Sequence, residues 1–336
     1  MYIFDAHTDI WMKTVSERRT GNSNYFIKTH YPKLKEGMVG GAIFVVFTET
    51  DKEADRIPYF WREVGGVCLE ISEFEKLDAP ITFVKSYGEI EEAKNKGKFF
   101  ALMGIEGLSG IGDDINQINT LYRLGFRHAS LTWNEENAFA AGAAIEDTNK
   151  GVTPIGEKAI KLMEELGMIL DISHLNEKSF WDVTEIATKP FIASHSNSKA
   201  LCQHRRNITD EQAKAIAKSG GVIGVNACGE FLHENRPSIK VFLEHVEHFV
   251  NIVGIESVGI GFDFCDFLRT EEVDPKDDYF KKNVDGLRNV IDAGSVLKGL
   301  KTIGFTDGDI QKIAYGNFLR VIKEIISQKK RSNANT

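Results

Sequence analysis

Short β-branched or aromatic runs recur at residues 2–4, 42–47, 99–105, 128–132, 168–172, 191–193, 222–225 and 258–260, and stretches of helical spacing separate most of them. This alternation constrains the fold more than any other feature. Near-continuous apolar strands must be covered on both faces, which calls for parallel strands with helical crossovers. The intervening segments have the matching period: Ile115, Ile118, Leu121, Tyr122 and Leu124, or Ile160, Leu162, Met163 and Leu166, with Gly125 and Gly167 placed to end each helix. Eight strands are the number that closes a (β/α)8 TIM barrel, which is the predicted fold. A doubly wound open sheet would place a glycine-rich turn after its first strand. The first strand here runs instead into Asp5-Ala6-His7-Thr8-Asp9.

Length alone leaves one or two domains open. There is no internal repeat and no Pro/Gly/Ser-rich linker, so a single barrel domain is expected over residues 1–326, with a polar, fraying tail at 327–336. The acidic stretch 270–278 reads as a loop insertion and a pocket wall, as does the loop carrying Glu230, Phe231 and His233. With 41 Lys and Arg against 49 Asp and Glu, the net charge of −8 disfavours a nucleic-acid partner. The longest nearly apolar stretch, residues 39–47, is about half of what a membrane span requires, so no membrane partner is expected. The N-terminus lacks the basic and apolar regions of a secretory signal, and the expected location is cytoplasmic. The four cysteines form no C-x-x-C pair and read as thiols.

In a barrel, chemistry sits where the strands end. His7 and Asp9 close the first predicted strand, Glu106 the third, Asp171 and His174 the fifth, His195 the sixth and Asp263 the eighth. Residues i and i+2 of a strand share a face, so His7 and Asp9 can address one ion. Each signal is weak alone, and the convergence is what carries weight. Three histidines, an Asp and a Glu suit Zn²⁺ better than Cu(I), Ca²⁺ or Mg²⁺. Five ligands exceed the three of a single catalytic zinc, so two ions sharing a carboxylate are expected, about 3.5–4 Å apart. Other candidates read as structural. His245 and His248 lie at i, i+3 on an exposed helix face, and His128 at the start of its strand faces away from the chemistry. Cys265 reads as a packing residue rather than a nucleophile, and Arg205 and Arg206 by themselves as a solvated pair at a helix start.

The motifs FDAHTD (4–9), MGIEGLSG (103–110), LDISHL (170–175), ASHSNSKALCQHRRNITD (193–210), VGIGFDF (258–264) and GNFLRV (316–321) resemble those of the membrane (renal) dipeptidase family, peptidase family M19. They run in family order, and the second Arg of RRN follows the His of SHS by eleven residues. The resemblance implies an amidohydrolase-type, metal-dependent hydrolase barrel: a metallo-dipeptidase with two zinc ions, acting on small dipeptides, including those with a C-terminal D-residue, through a metal-bridging hydroxide. It further implies His7 and Asp9 as ligands of one zinc, His174 and His195 of the other, and Glu106 as the bridge. Asp263 matches the family's proton-handling carboxylate, Arg206 its grip on the substrate carboxylate, and the assembly implied is a homodimer. A guanidinium suits that role because it holds a carboxylate bidentately.

Two departures bear on the substrate. Where better-known members have a histidine after the LT of the fourth strand, this chain has Trp133, which narrows the pocket and leaves one indole donor; Asn134 and Asn137 are placed to compensate. The usual DFDG reads Asp263-Phe264-Cys265-Asp266. A different zinc-dependent amide, lactam or lactone hydrolase is therefore the alternative, and a catalytically silent peptide-binding barrel a third reading.

Overall fold

The computed structural model describes residues 1–47, 53–268 and 282–326, so the predicted tail 327–336 and the acidic loop 270–278 lie outside the described residues. Eight strands occur among the described residues: β1 (Ile3–Thr8), β2 (Val39–Phe47), β3 (Ile81–Phe83), β4 (Phe99–Glu106), β5 (Phe126–Ser130), β6 (Ile169–Asp171), β7 (Ile223–Val225) and β8 (Val258–Ile260). The chain groups into two compact units. One comprises Met1–Phe44, Ala193–Lys218 and Val222–Phe318; the other comprises Val45–Ile192, Ser219–Gly221 and the described part of Leu319–Thr336.

In the first unit β1 pairs in parallel with β2, from Ile3 opposite Val39 to Thr8 opposite Phe44. The register slips between Asp5 and Thr8, where three steps on β1 meet two on β2. Such a bulge turns a side chain out of strict alternation, and His7 lies inside it. β7 and β8 pair in parallel, Ile223 with Val258 through Val225 with Ile260. Phe4 packs on Phe318, and Phe242 on Phe262, to fill the core of this unit.

In the second unit β4 is flanked by β3 and β5, and β5 by β6, all parallel. All eight residues of β4 are buried, as expected of a strand covered on both faces. The helix Asn116–Leu124 buries Ile118 and Leu121 and ends at Gly125; the helix Pro154–Leu166 buries Ile160 and Met163 and ends at Gly167. Both glycines adopt the left-handed conformation that a side chain would oppose, as predicted for helix ends. Thr153 caps the second helix by accepting the Gly156 N–H.

Seven of the eight predicted runs coincide with strands to within a few residues. The exception is 191–193, which forms isolated parallel bridges, Ile192 to Asp171 in the second unit and Ala193 to Ile223 in the first. β3 was not anticipated, since three residues are too few to display a period.

The segment before His195 is held by two close backbone approaches. A Cβ at Gly261 would lie 1.8 Å from the Ser194 carbonyl oxygen, and one at Gly224 would lie 2.0 Å from the same oxygen. Backbone cannot yield as a flexible side chain can. Gly261→Ala is therefore expected to cost roughly 1–3 kcal/mol, read as a lower urea midpoint at unchanged slope.

Candidate metal centre and substrate site

In the first unit the chain leaves β1 at Thr8 and enters the helix Ile10–Arg19 at once, with Asp9 as its N-cap residue. The Asp9 carboxylate makes no capping hydrogen bond there. It turns toward His7, whose Nε2 stands 3.8 Å from Asp9 Oδ2 and 4.0 Å from Asp263 Oδ1. The His195 ring lies against the His7 ring, centroids 3.8 Å apart. Ser194 Oγ meets His195 Nδ1 at 2.7 Å, which leaves Nε2 as the ring atom available to an ion. Four predicted residues, His7, Asp9, His195 and Asp263, are thus brought together in this unit.

Asp263 is one of five non-glycine residues with positive φ among the described residues, at 58°. Its N–H reaches the His7 carbonyl, and its Oδ2 accepts from Asn226 Nδ2 at 3.0 Å. Asn226 is in turn locked to Asn197 by two hydrogen bonds of 2.9 and 3.0 Å. These two asparagines were missed in the sequence, although Asn226 directly follows β7 and the strand-end criterion should have caught it. Asp5, inside the FDAHTD motif, is fully buried; burial pushes its carboxyl up to about 7, and the N–H groups of Phe262 and His7 oppose that only in part.

Arg206 is 4% exposed, and its guanidinium donates to the His195 carbonyl at 3.3 Å and sits over the Phe231 ring. Arg205 is exposed, so the solvated-pair reading holds for Arg205 and fails for Arg206. His204 packs against Phe231 with the rings tilted by 34° and accepts the Arg206 N–H; burial, helped by Arg206, Arg205 and Lys282, lowers its pKa to about 4.

In the second unit β4 ends in Glu106, and Gly107 follows at φ 79°, where a Cβ would lie 2.9 Å from the Trp133 nitrogen. His174 Nε2 lies 2.8 Å from Glu106 Oε1. Its Nδ1 lies 2.9 Å from Asn134 Oδ1, which can only accept, so Nδ1 carries a proton and Nε2 is the ring atom turned to Glu106. His174 itself is held at φ 72°, with its carbonyl taking the Ala143 N–H at 2.7 Å. Trp133 stands 6.0 Å from His174 and 5.1 Å from Phe47, ring centre to ring centre. Asn137, expected to compensate for the missing histidine, instead folds its own loop through Leu131, Phe139 and Ala140. Asn134, expected at the substrate, has its side-chain oxygen on His174.

Two histidine readings are corrected. His128 lies in the middle of β5 rather than at a strand start, fully buried, with Nε2 3.1 Å from Asp171 Oδ2; the strand begins two residues earlier than its apolar run suggested. His245 is buried rather than exposed. It accepts from the Ser198 N–H and donates to the Leu232 carbonyl, a neutral structural tautomer that holds no ion. His248 does meet solvent, paired with Asp210 at 2.7 Å.

The donor sets suit a metal. Each unit offers buried imidazole and carboxylate groups at a strand end, and in His195 and His174 the far ring nitrogen is already engaged, the outer arrangement that metal-ligating histidines use.

Comparison with known proteins defines the class first: the fold is that of a (β/α)8 barrel. The family model "Membrane dipeptidase (Peptidase family M19)" matches residues 1–336, and the chain belongs to that family. Among solved structures, a family M19 metallopeptidase, dipeptidase AC, superimposes with a TM-score of 0.84 at 22% identity over 97% of this chain and 98% of that one. A metallopeptidase from Rhodobacter sphaeroides, liganded with a phosphinate mimic of the dipeptide L-Ala-D-Ala, gives 0.83 at 22% identity, covering 97% and 99%. An uncharacterised protein encoded in the pqqA 5' region of Klebsiella pneumoniae is 32% identical over 72% of this chain and 88% of its own. The protein is a metallodipeptidase, a hydrolase that requires a metal. Among the described residues no helix is long and apolar enough to cross a membrane.

Burial lowers the pKa of His245 to about 4 from 6.5. A depressed histidine contributes stability that is complete above about pH 6.5 and is lost as the pH falls toward 4, because the unfolded chain binds the proton first. His245→Gln is expected to weaken the protein at pH 7 by about 1–3 kcal/mol, through the Ser198 and Leu232 backbone groups, and to flatten part of this acid limb in urea unfolding from pH 7 to pH 4.

Proposed function

We propose that the protein is a binuclear zinc dipeptidase that cleaves small dipeptides, those with a C-terminal D-residue among them. The observation that carries this reading is His174, whose Nδ1 is held by Asn134 while its Nε2 stands 2.8 Å from the Glu106 carboxylate at the end of β4. In the proposed site, as family membership implies, His7 and Asp9 would hold one ion and His174 and His195 the other, with Glu106 as a shared ligand. Zinc bound there would activate a water near neutral pH and polarise the peptide carbonyl.

The chain's own residues supply the rest. Asp263, steadied through Oδ2 by Asn226, takes a proton and returns it to the leaving amine, a transfer that needs a carboxylate held still and within reach. Arg206, carried on the His195 carbonyl and the Phe231 ring, receives the free C-terminal carboxylate, and this restricts cleavage to dipeptides. Trp133 and Phe47 form an aromatic wall beside His174. The phosphinate mimic of L-Ala-D-Ala on a structural relative supports the D-residue reading.

Trp133, standing where the family has a histidine, favours the second reading, a zinc-dependent hydrolase of other amides, lactams or lactones. Amine release from L-Ala-D-Ala and L-Ala-L-Ala, each with a chelator control, separates the two. Chelator-sensitive turnover of either dipeptide is expected, with two zinc ions per chain by metal analysis. No turnover with two ions bound would move the search to lactams and lactones. Asn134→Ala is expected to weaken zinc binding by about 10–100-fold, measured by competition with a chromophoric chelator, while the circular dichroism spectrum is unchanged.

A further inference from the structure

The usual family acid after Asp263-Phe264 is replaced by Cys265, which is buried in the first unit. Its Sγ lies 3.4 Å from the Asp263 carbonyl oxygen and 3.6 Å from Asp263 Oδ1. One carboxylate oxygen each from Asp9 and Asp263 and the Cys265 sulfur all fall within 4.8 Å of one another. Asp9 is shared with His7, whose Nε2 lies 3.8 Å from Asp9 Oδ2 and 4.0 Å from Asp263 Oδ1. Donors about 2.0–2.3 Å from a tetrahedral zinc stand roughly 3.5 Å from each other, so donors within 4.8 Å of one another have to draw closer to share one ion. A small cavity of about 30 Å³, lined by Asp263, Cys265, Cys228, Glu230 and Lys282 among others, lies beside the sulfur.

We propose that Cys265 is a thiolate ligand of the cation held by His7 and Asp9. The inference rests on the metal reading given under the proposed function, and it makes that position a mixed nitrogen, oxygen and sulfur site. On coordination the sulfur exchanges its S–H bond for a bond to the metal. The proton passes to Asp263 Oδ1, which the thiol already contacts, and from there to solvent. Thiolate ligands select zinc and still softer divalent ions, whereas carboxylate and water ligands suit magnesium and manganese. The substitution of an acid by Cys265 therefore narrows the choice of metal at this position. Cys228 lines the same cavity, but its thiol is committed to the Glu230 carboxylate at 3.2 Å, and it serves as the control.

The test is zinc X-ray absorption on the full-length, zinc-loaded protein with its metal content measured. A zinc–sulfur shell at about 2.3 Å is expected, present in the wild type and in Cys228→Ser, and lost in Cys265→Ser with the nitrogen and oxygen shell retained. In competition, cadmium is expected to displace manganese from the wild type at least tenfold more readily than from Cys265→Ser. Zinc bound without a sulfur shell in the wild type, a reading that needs no variant to fold, would overturn this inference and leave the dipeptidase proposal standing. A shell that persists in Cys265→Ser would also overturn it. Protein that binds no zinc at all would overturn both.

Discussion

The strand ends of this protein hold ionisable side chains away from water, and much of the local structure follows from that. His7, Asp9, His195, Glu106 and His174 are each at most 6% exposed. A buried charge is costly unless partnered, and a buried imidazole has to be given a defined tautomer. Both demands are met by neighbours that sequence alone would rank as unremarkable. Ser194 occupies Nδ1 of His195, Asn134 occupies Nδ1 of His174, and Asn226 with Asn197 behind it holds Asp263. Each fixes one atom of its partner and so the orientation of the whole side chain.

Backbone geometry contributes as much as side chains. His174 and Asp263 both sit at positive φ, in a region that residues other than glycine seldom occupy. Strain of this kind persists where surrounding contacts over-determine it, and here the contacts are the Ala143 N–H on the His174 carbonyl and the Asn226 amide on the Asp263 carboxylate. Gly224 and Gly261 let two strands approach Ser194 closely enough to fix the residue that precedes His195. His7 lies within the register slip of β1, and Asp9, whose carboxylate stands 3.8 Å from it, lies just past the strand as the N-cap of the next helix.

Much of this was legible in the sequence. Seven strands, both glycine helix ends and the positions of His7, Asp9, Glu106 and His174 at or soon after strand ends follow from period, turn chemistry and the rule that chemistry gathers where barrel strands end. What escaped has specific causes. β3 is too short to show a period, and 191–193 makes only isolated bridges despite its apolar run. His245 was read as exposed because the polar residues around it on the helix Ile239–Val253 suggest a wet face, whereas Ser198 and Leu232, distant in sequence, enclose it. His128 was placed by an apolar run that began later than the strand itself.

The sequence by itself determined the class of fold, the family and the kind of donor atoms brought to the strand ends, because these depend on local periodicity and on motifs contiguous in the chain. Tertiary structure decided which atom of each donor is available. Asn134 reaches His174 across 40 residues, Arg206 reaches the His195 carbonyl across 11, and Asn226 reaches Asp263 across 37. Tautomer, burial and the aim of a carboxylate are set by such non-local hydrogen bonds, which no local pattern encodes.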